Sequence, residues 1–63
     1  MDTRIDINIY LRGGSNVITV TVLESNLEEA IRLLKERPKT QTIQGHNGLE
    51  ILVEEVAAFQ VVR

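Results

Sequence analysis

The chain has 63 residues, a formal net charge of −2 and no cysteine. That length allows one domain, residues 1–63, and a small one that buries only about 60% of the surface its unfolded chain exposes. Disulfides are excluded, and with a single histidine, His46, no metal site built within one chain is expected either. Good packing or self-association must therefore supply the stability. An acidic balance with two aromatic residues, Tyr10 and Phe59, disfavours nucleic acid as a partner. No apolar run approaches the ~20 residues of a membrane helix, so no membrane partner is expected. The opening MDTRIDINIY lacks the pattern of a secretion signal. A cytoplasmic location is the expectation.

Residues 4–12, RIDINIYLR, alternate with period two. Ile5, Ile7, Ile9 and Leu11 point one way, and the polar residues with Tyr10 point the other, as in a half-buried strand. After GGSN comes VITVTVL, residues 17–23, a β-branched run with Ile18, Val20 and Val22 inward. A two-residue Gly13-Gly14 turn pairs Arg12 with Ser15, Ile9 with Ile18, Ile7 with Val20 and Ile5 with Val22. A four-residue loop over 13–16 keeps the same parity. A slip of one residue would mix the faces.

SNLEEAIRLLKERP, residues 25–38, reads as a helix. Ser25 with Glu28 makes a capping box, and Asn26 with Glu29 is the alternative. Leu27, Ala30, Ile31 and Leu34 form one apolar stripe. Acidic residues occupy the first turn, Lys35 and Arg37 the last, and Pro38 stops the helix.

TQTIQG predicts a short or edge strand, and LEILV alternates with Leu49, Ile51 and Val53 on one face. Between them, a three-residue His46-Asn47-Gly48 loop pairs Ile43 with Ile51 and Gln41 with Val53. That is a type I turn with a G1 bulge, in which Gly48 takes positive φ. In EEVAAFQVVR the odd parity runs on through Ala57, Phe59 and Val61, but a continuous strand would bury Glu55. A bulge or single helical turn at Glu54-Glu55-Val56 resolves this.

The expected fold is α+β: an antiparallel sheet of four to five strands in the order β-β-α-β-β, with a fifth strand after a kink near Glu54-Glu55 and one helix on one face. The expected core is Ile5, Ile7, Ile9, Ile18, Val20, Val22, Leu27, Ile31, Leu34, Ile43, Ile51, Val53, Phe59 and Val61.

Catalytic chemistry finds little support. His46 at a turn tip has no fixed partner as a general base. Glu54 and Glu55 point to opposite faces of an extended strand. RGGS joins two strands rather than a strand to a helix, so it is no phosphate loop. Ser15 sits in a turn and Ser25 at a cap. No enzyme activity and no cofactor are expected.

What remains is interaction chemistry. Tyr10, Val17, Thr19, Leu23, Leu52 and Val62 are outward by parity, and so is Ala58; the six form a candidate association surface, with a homodimer favoured. Arg32, Lys35, Arg37 and Lys39 gather at the helix C-terminus as a candidate patch for an anion or an acidic partner. The leading expectation is a non-enzymatic interaction module that self-associates through the sheet face and binds or inhibits another protein. The alternative is a small-ligand or nucleotide binder with a pocket at a dimer seam, where Arg4, Arg12 or the helix cluster meets the anion. VITVTVL also resembles a strand of the small dimeric RNA-binding carbon-storage regulators. The resemblance covers residues 17–23 only, those regulators carry their helix at the C-terminus rather than mid-chain, and no site residue transfers.

Overall fold

The computed structural model describes residues 3–14 and 16–62. Strands β1 (Arg4–Leu11) and β2 (Val17–Leu23) form the first hairpin, followed by a 3₁₀ turn (Glu24–Asn26) and helix α1 (Leu27–Glu36). A second hairpin, β3 (Thr42–Gln44) and β4 (Glu50–Leu52), leads through a 3₁₀ turn (Val53–Glu55) into β5 (Val56–Val62).

The single sheet expected from the sequence is instead two sheets. β2-β1-β5 form an antiparallel three-stranded sheet, and β3-β4 stand apart as a two-stranded one. The reason lies at the kink. The 3₁₀ turn after β4 redirects the chain, so β5 pairs with β1 rather than continuing the second hairpin. The turn leaves Glu55 exposed, which removes the conflict its parity created.

Both hairpin registers follow the apolar matching. Ile5 faces Val22, Ile7 faces Val20 and Ile9 faces Ile18. In the second hairpin Ile43 faces Ile51, and the Val53 amide donates to the Gln41 carbonyl at 3.0 Å. The first turn differs from the two-residue form. The β1–β2 ladder ends at Tyr10 and Val17, and a turn closes from the Gly14 amide to the Leu11 carbonyl, with Gly13 at φ 68°. The Arg12 amide donates to the Glu55 carbonyl at 2.9 Å, so its backbone serves the β5 side. Its expected partner Ser15 lies outside the described residues.

The helix is also shorter than residues 25–38. Asn26, the alternative cap, stands at the N-cap without a side-chain cap bond, and Ser25 belongs to the preceding 3₁₀ turn. At the other end Arg37 takes the left-handed conformation at φ 51°, ahead of Pro38.

One core joins both sheets and the helix. Ile7, Ile9, Val20, Leu34, Val53 and Val56 are the largest fully buried side chains. Each contributes about 1.5–3 kcal/mol by leaving water. Of the expected core, Ile18, Ile31, Phe59 and Val61 are only partly buried, packed against it. The expectation that Ala57 points inward is overturned. The register slips where Tyr10 faces Ala58 but Leu11 faces Val56, so this bulge buries Val56 and exposes Ala57.

Candidate interaction surfaces

The three-stranded sheet packs one face on the core. Its other face can be read row by row from the register. Val17, Tyr10 and Ala58 form the first row, Thr19, Asn8 and Gln60 the second, and Thr21, Asp6 and Val62 the third. Tyr10, Val17 and Val62 are 40%, 46% and 45% exposed. The middle of the face is polar. The Thr19 hydroxyl donates to Asn8 Oδ1 at 2.9 Å, and the Thr21 hydroxyl donates to Asp6 Oδ1 at 2.8 Å.

The candidate association residues are therefore only partly brought together. Tyr10 and Val17 are direct cross-strand neighbours, Thr19 lies in the next row and Val62 in the one after. Leu23 lies beyond them opposite Arg4, half-buried, and Leu52 belongs to the other sheet.

The basic cluster is divided in the same way. Arg32 faces Glu36 across one helical turn, with Nη1 3.8 Å from Oε2. Arg37 is structural: its Nε donates to the Leu34 carbonyl and its Nη2 to the Ala57 carbonyl, both at 3.4 Å. It satisfies a helix-end carbonyl and ties α1 to β5. Lys35 and Lys39 remain exposed without an ion pair among the described residues. Arg4 and Arg12 stand near opposite ends of β1, so they do not converge on one anion. Thr40 shares the left-handed conformation at φ 65°, an uncommon state for a β-branched residue.

The second hairpin carries the feature that hydropathy does not reveal. Its turn closes from the Gly48 amide to the Gly45 carbonyl, with Gly48 at φ 88°, as a G1-bulge turn requires. The tip then docks on the free edge of β2. The His46 amide donates to the Thr21 carbonyl. Asn47 Nδ2 donates to the Thr19 carbonyl at 3.1 Å, and Asn47 Oδ1 accepts from the Thr21 amide at a long 3.5 Å. One side-chain amide thus stands in for a neighbouring strand. The close approach requires Gly45: a Cβ there would lie 2.7 Å from Val20 Cγ1 and collide with Asn47 Oδ1.

Between the helix and this hairpin lies an open cleft of about 460 Å³. Val22, Ala30, Leu33 and Ile43 supply its apolar walls, Asn26, Thr42 and Gln44 its polar ones, and Glu29 and His46 are its ionisable groups. Among the described residues no lysine or arginine lines it, so none of the arginines expected to meet an anion reaches this cleft. No cluster of three or more His, Asp or Glu groups suited to a metal ion occurs among the described residues. None of their helices is long and apolar enough to cross a membrane.

Comparison with known proteins finds no matching family model, no matching curated protein and no matching solved structure. The short resemblance of VITVTVL to the carbon-storage regulators thus gains no support from it.

Proposed function

We propose that this chain is a non-enzymatic interaction module whose three-stranded sheet is the working surface. It self-associates through that sheet and binds or inhibits another protein. The observation behind this reading is the uncovered side of β2-β1-β5, with its apolar row of Val17, Tyr10 and Ala58 and a further exposed valine, Val62. Exposed apolar residues gathered in one row are the part of a surface that an association site would use. The small chain gives the same push, because association adds burial that the monomer lacks. Light scattering coupled to size-exclusion chromatography provides the test. A dimer that dissociates on dilution is expected, and a monomer at high micromolar concentration refutes self-association.

A second reading rests on the cleft. Its volume falls within the range of about 300–1,000 Å³ common to small-molecule sites. With Glu29 as its acidic group and no lysine or arginine among the described lining residues, it suits a neutral or cationic ligand better than a nucleotide. A thermal-shift panel of amines, neutral apolar compounds and nucleotides separates these classes, since a ligand that binds only the native state must raise Tm. No shift across the panel removes this reading.

A further inference from the structure

The two edges of the three-stranded sheet end differently. The β2 edge is occupied by the tip of the second hairpin, through His46 and Asn47. Among the described residues the β5 edge has no strand beyond it.

Which groups the β5 edge offers follows from ladder alternation. The Thr19 and Thr21 backbone groups that meet Asn47 and His46 face away from β1. Antiparallel pairing alternates strictly, so Ile5, Ile7 and Ile9 exchange bonds with β2, and Asp6, Asn8 and Tyr10 with β5. On β5, Ala58, Gln60 and Val62 then face β1. The amide and carbonyl groups of Phe59 and Val61 face outward, and no loop or side chain among the described residues reaches them. The Arg37 guanidinium covers only the Ala57 carbonyl at the beginning of the strand.

Exposed edges are normally guarded by lysine, proline or an inward charge. β5 reads VAAFQVV and has none of these. Its bulge lies at the Val56 end and leaves residues 58–62 regular.

We propose that this edge pairs with the β5 edge of a second copy, antiparallel about a two-fold axis at Gln60. Two three-stranded sheets then join into one of six strands. In this register the outward groups of Phe59 meet those of Val61 in the second copy, and the reverse, while Gln60 faces its own counterpart. The half-buried Phe59 and Val61 side chains gain cover on the core side. On the outer side Ala58 meets the exposed Val62. Residues 58–62 carry no charge to oppose their counterparts, and the Arg37–Ala57 bond lies outside this stretch. A second copy is the occupant because the strand is its own complement under this axis, which closes the assembly at two chains. The strip is narrow, so the dimer belongs to the weak class with a micromolar Kd.

The proposal rests on the self-association reading and specifies the edge rather than the face. Gln60→Cys in the full chain tests it, because residues opposite each other at a non-hydrogen-bonded position lie within disulfide reach. The control is Asn8→Cys, in the same row of the sheet face but on the central strand. On mild oxidation Gln60→Cys should convert mostly to a covalent dimer, at least tenfold faster than the control. In the unmodified chain the Phe59 and Val61 amides should exchange at least tenfold more slowly at millimolar than at low micromolar concentration. If light scattering shows a dimer but Asn8→Cys cross-links as fast as Gln60→Cys, the edge pairing is wrong and face association survives. A monomer through the high micromolar range overturns both, and leaves the edge to a foreign strand.

Discussion

The two margins of one small sheet show opposite treatments of the same problem. Along β2 the outward backbone groups are met by a turn: the His46 amide and both ends of the Asn47 side-chain amide occupy Thr19 and Thr21. Along β5 the outward groups of Phe59 and Val61 meet nothing in the described chain. The difference shows how a tight turn far along the chain can act as a strand substitute. It also identifies which margin is available to a partner. A covered edge contributes to stability, whereas an open one contributes to association.

Breaking the covered margin should produce the largest effect. Gly45→Val places a branched side chain where Val20 Cγ1 and Asn47 Oδ1 already sit, so the hairpin must lift from β2. A loss of about 3 kcal/mol is expected, lowering Tm by more than ~10 °C in thermal unfolding. Gly48→Val follows. Nothing lies within 4 Å of a Cβ there, so its cost is the positive φ alone, about 2 kcal/mol by denaturant titration. Gly48→Asn should recover much of that loss, whereas Gly45→Asn should not. Asn47→Ala sharpens the comparison most directly, because it makes the β2 margin resemble that of β5. It should cost about 1 kcal/mol and speed exchange of the Thr21 amide. His46→Ala should stay within about 0.5 kcal/mol, since His46 bonds to β2 only through its backbone amide. A larger loss would restore a role for the imidazole.

Much of this was legible in the sequence. Both hairpin registers follow from matching apolar residues across a turn of fixed parity, and the kink follows from Glu55, whose burial a straight strand would demand. The positive φ at Gly48 follows from the length of its turn. The division into two sheets was not legible, because hydropathy indicates which face of a strand is buried and not which strand lies beside it. The exchange of Ala57 for Val56 depends on a one-residue slip opposite Leu11, which the run VAA does not betray. The docking role of Asn47 was missed for a related reason: a side-chain amide bonding to a remote backbone leaves no periodic trace. The same holds for Arg37, which read as free charge and is instead a tie between α1 and β5. Gly45 carried a faint signal, a second glycine three residues before Gly48, but only the proximity of Val20 shows why it is needed.

The central position of β1 has a kinetic consequence. It meets β2 through a short hairpin but meets β5 from the far end of the chain, with Asp6 opposite Val62. Closing so long a loop costs entropy before its contacts give any return, so the first hairpin belongs to the early folding nucleus and β5 is a late arrival. Substitutions such as Val20→Ala should mainly slow refolding, and Val61→Ala should mainly speed unfolding, as stopped-flow rates can show. Until β5 arrives, β1 itself is a bare margin, and a neighbouring copy of β5 can occupy it. Strand exchange between chains during refolding at high concentration is the hazard this topology carries.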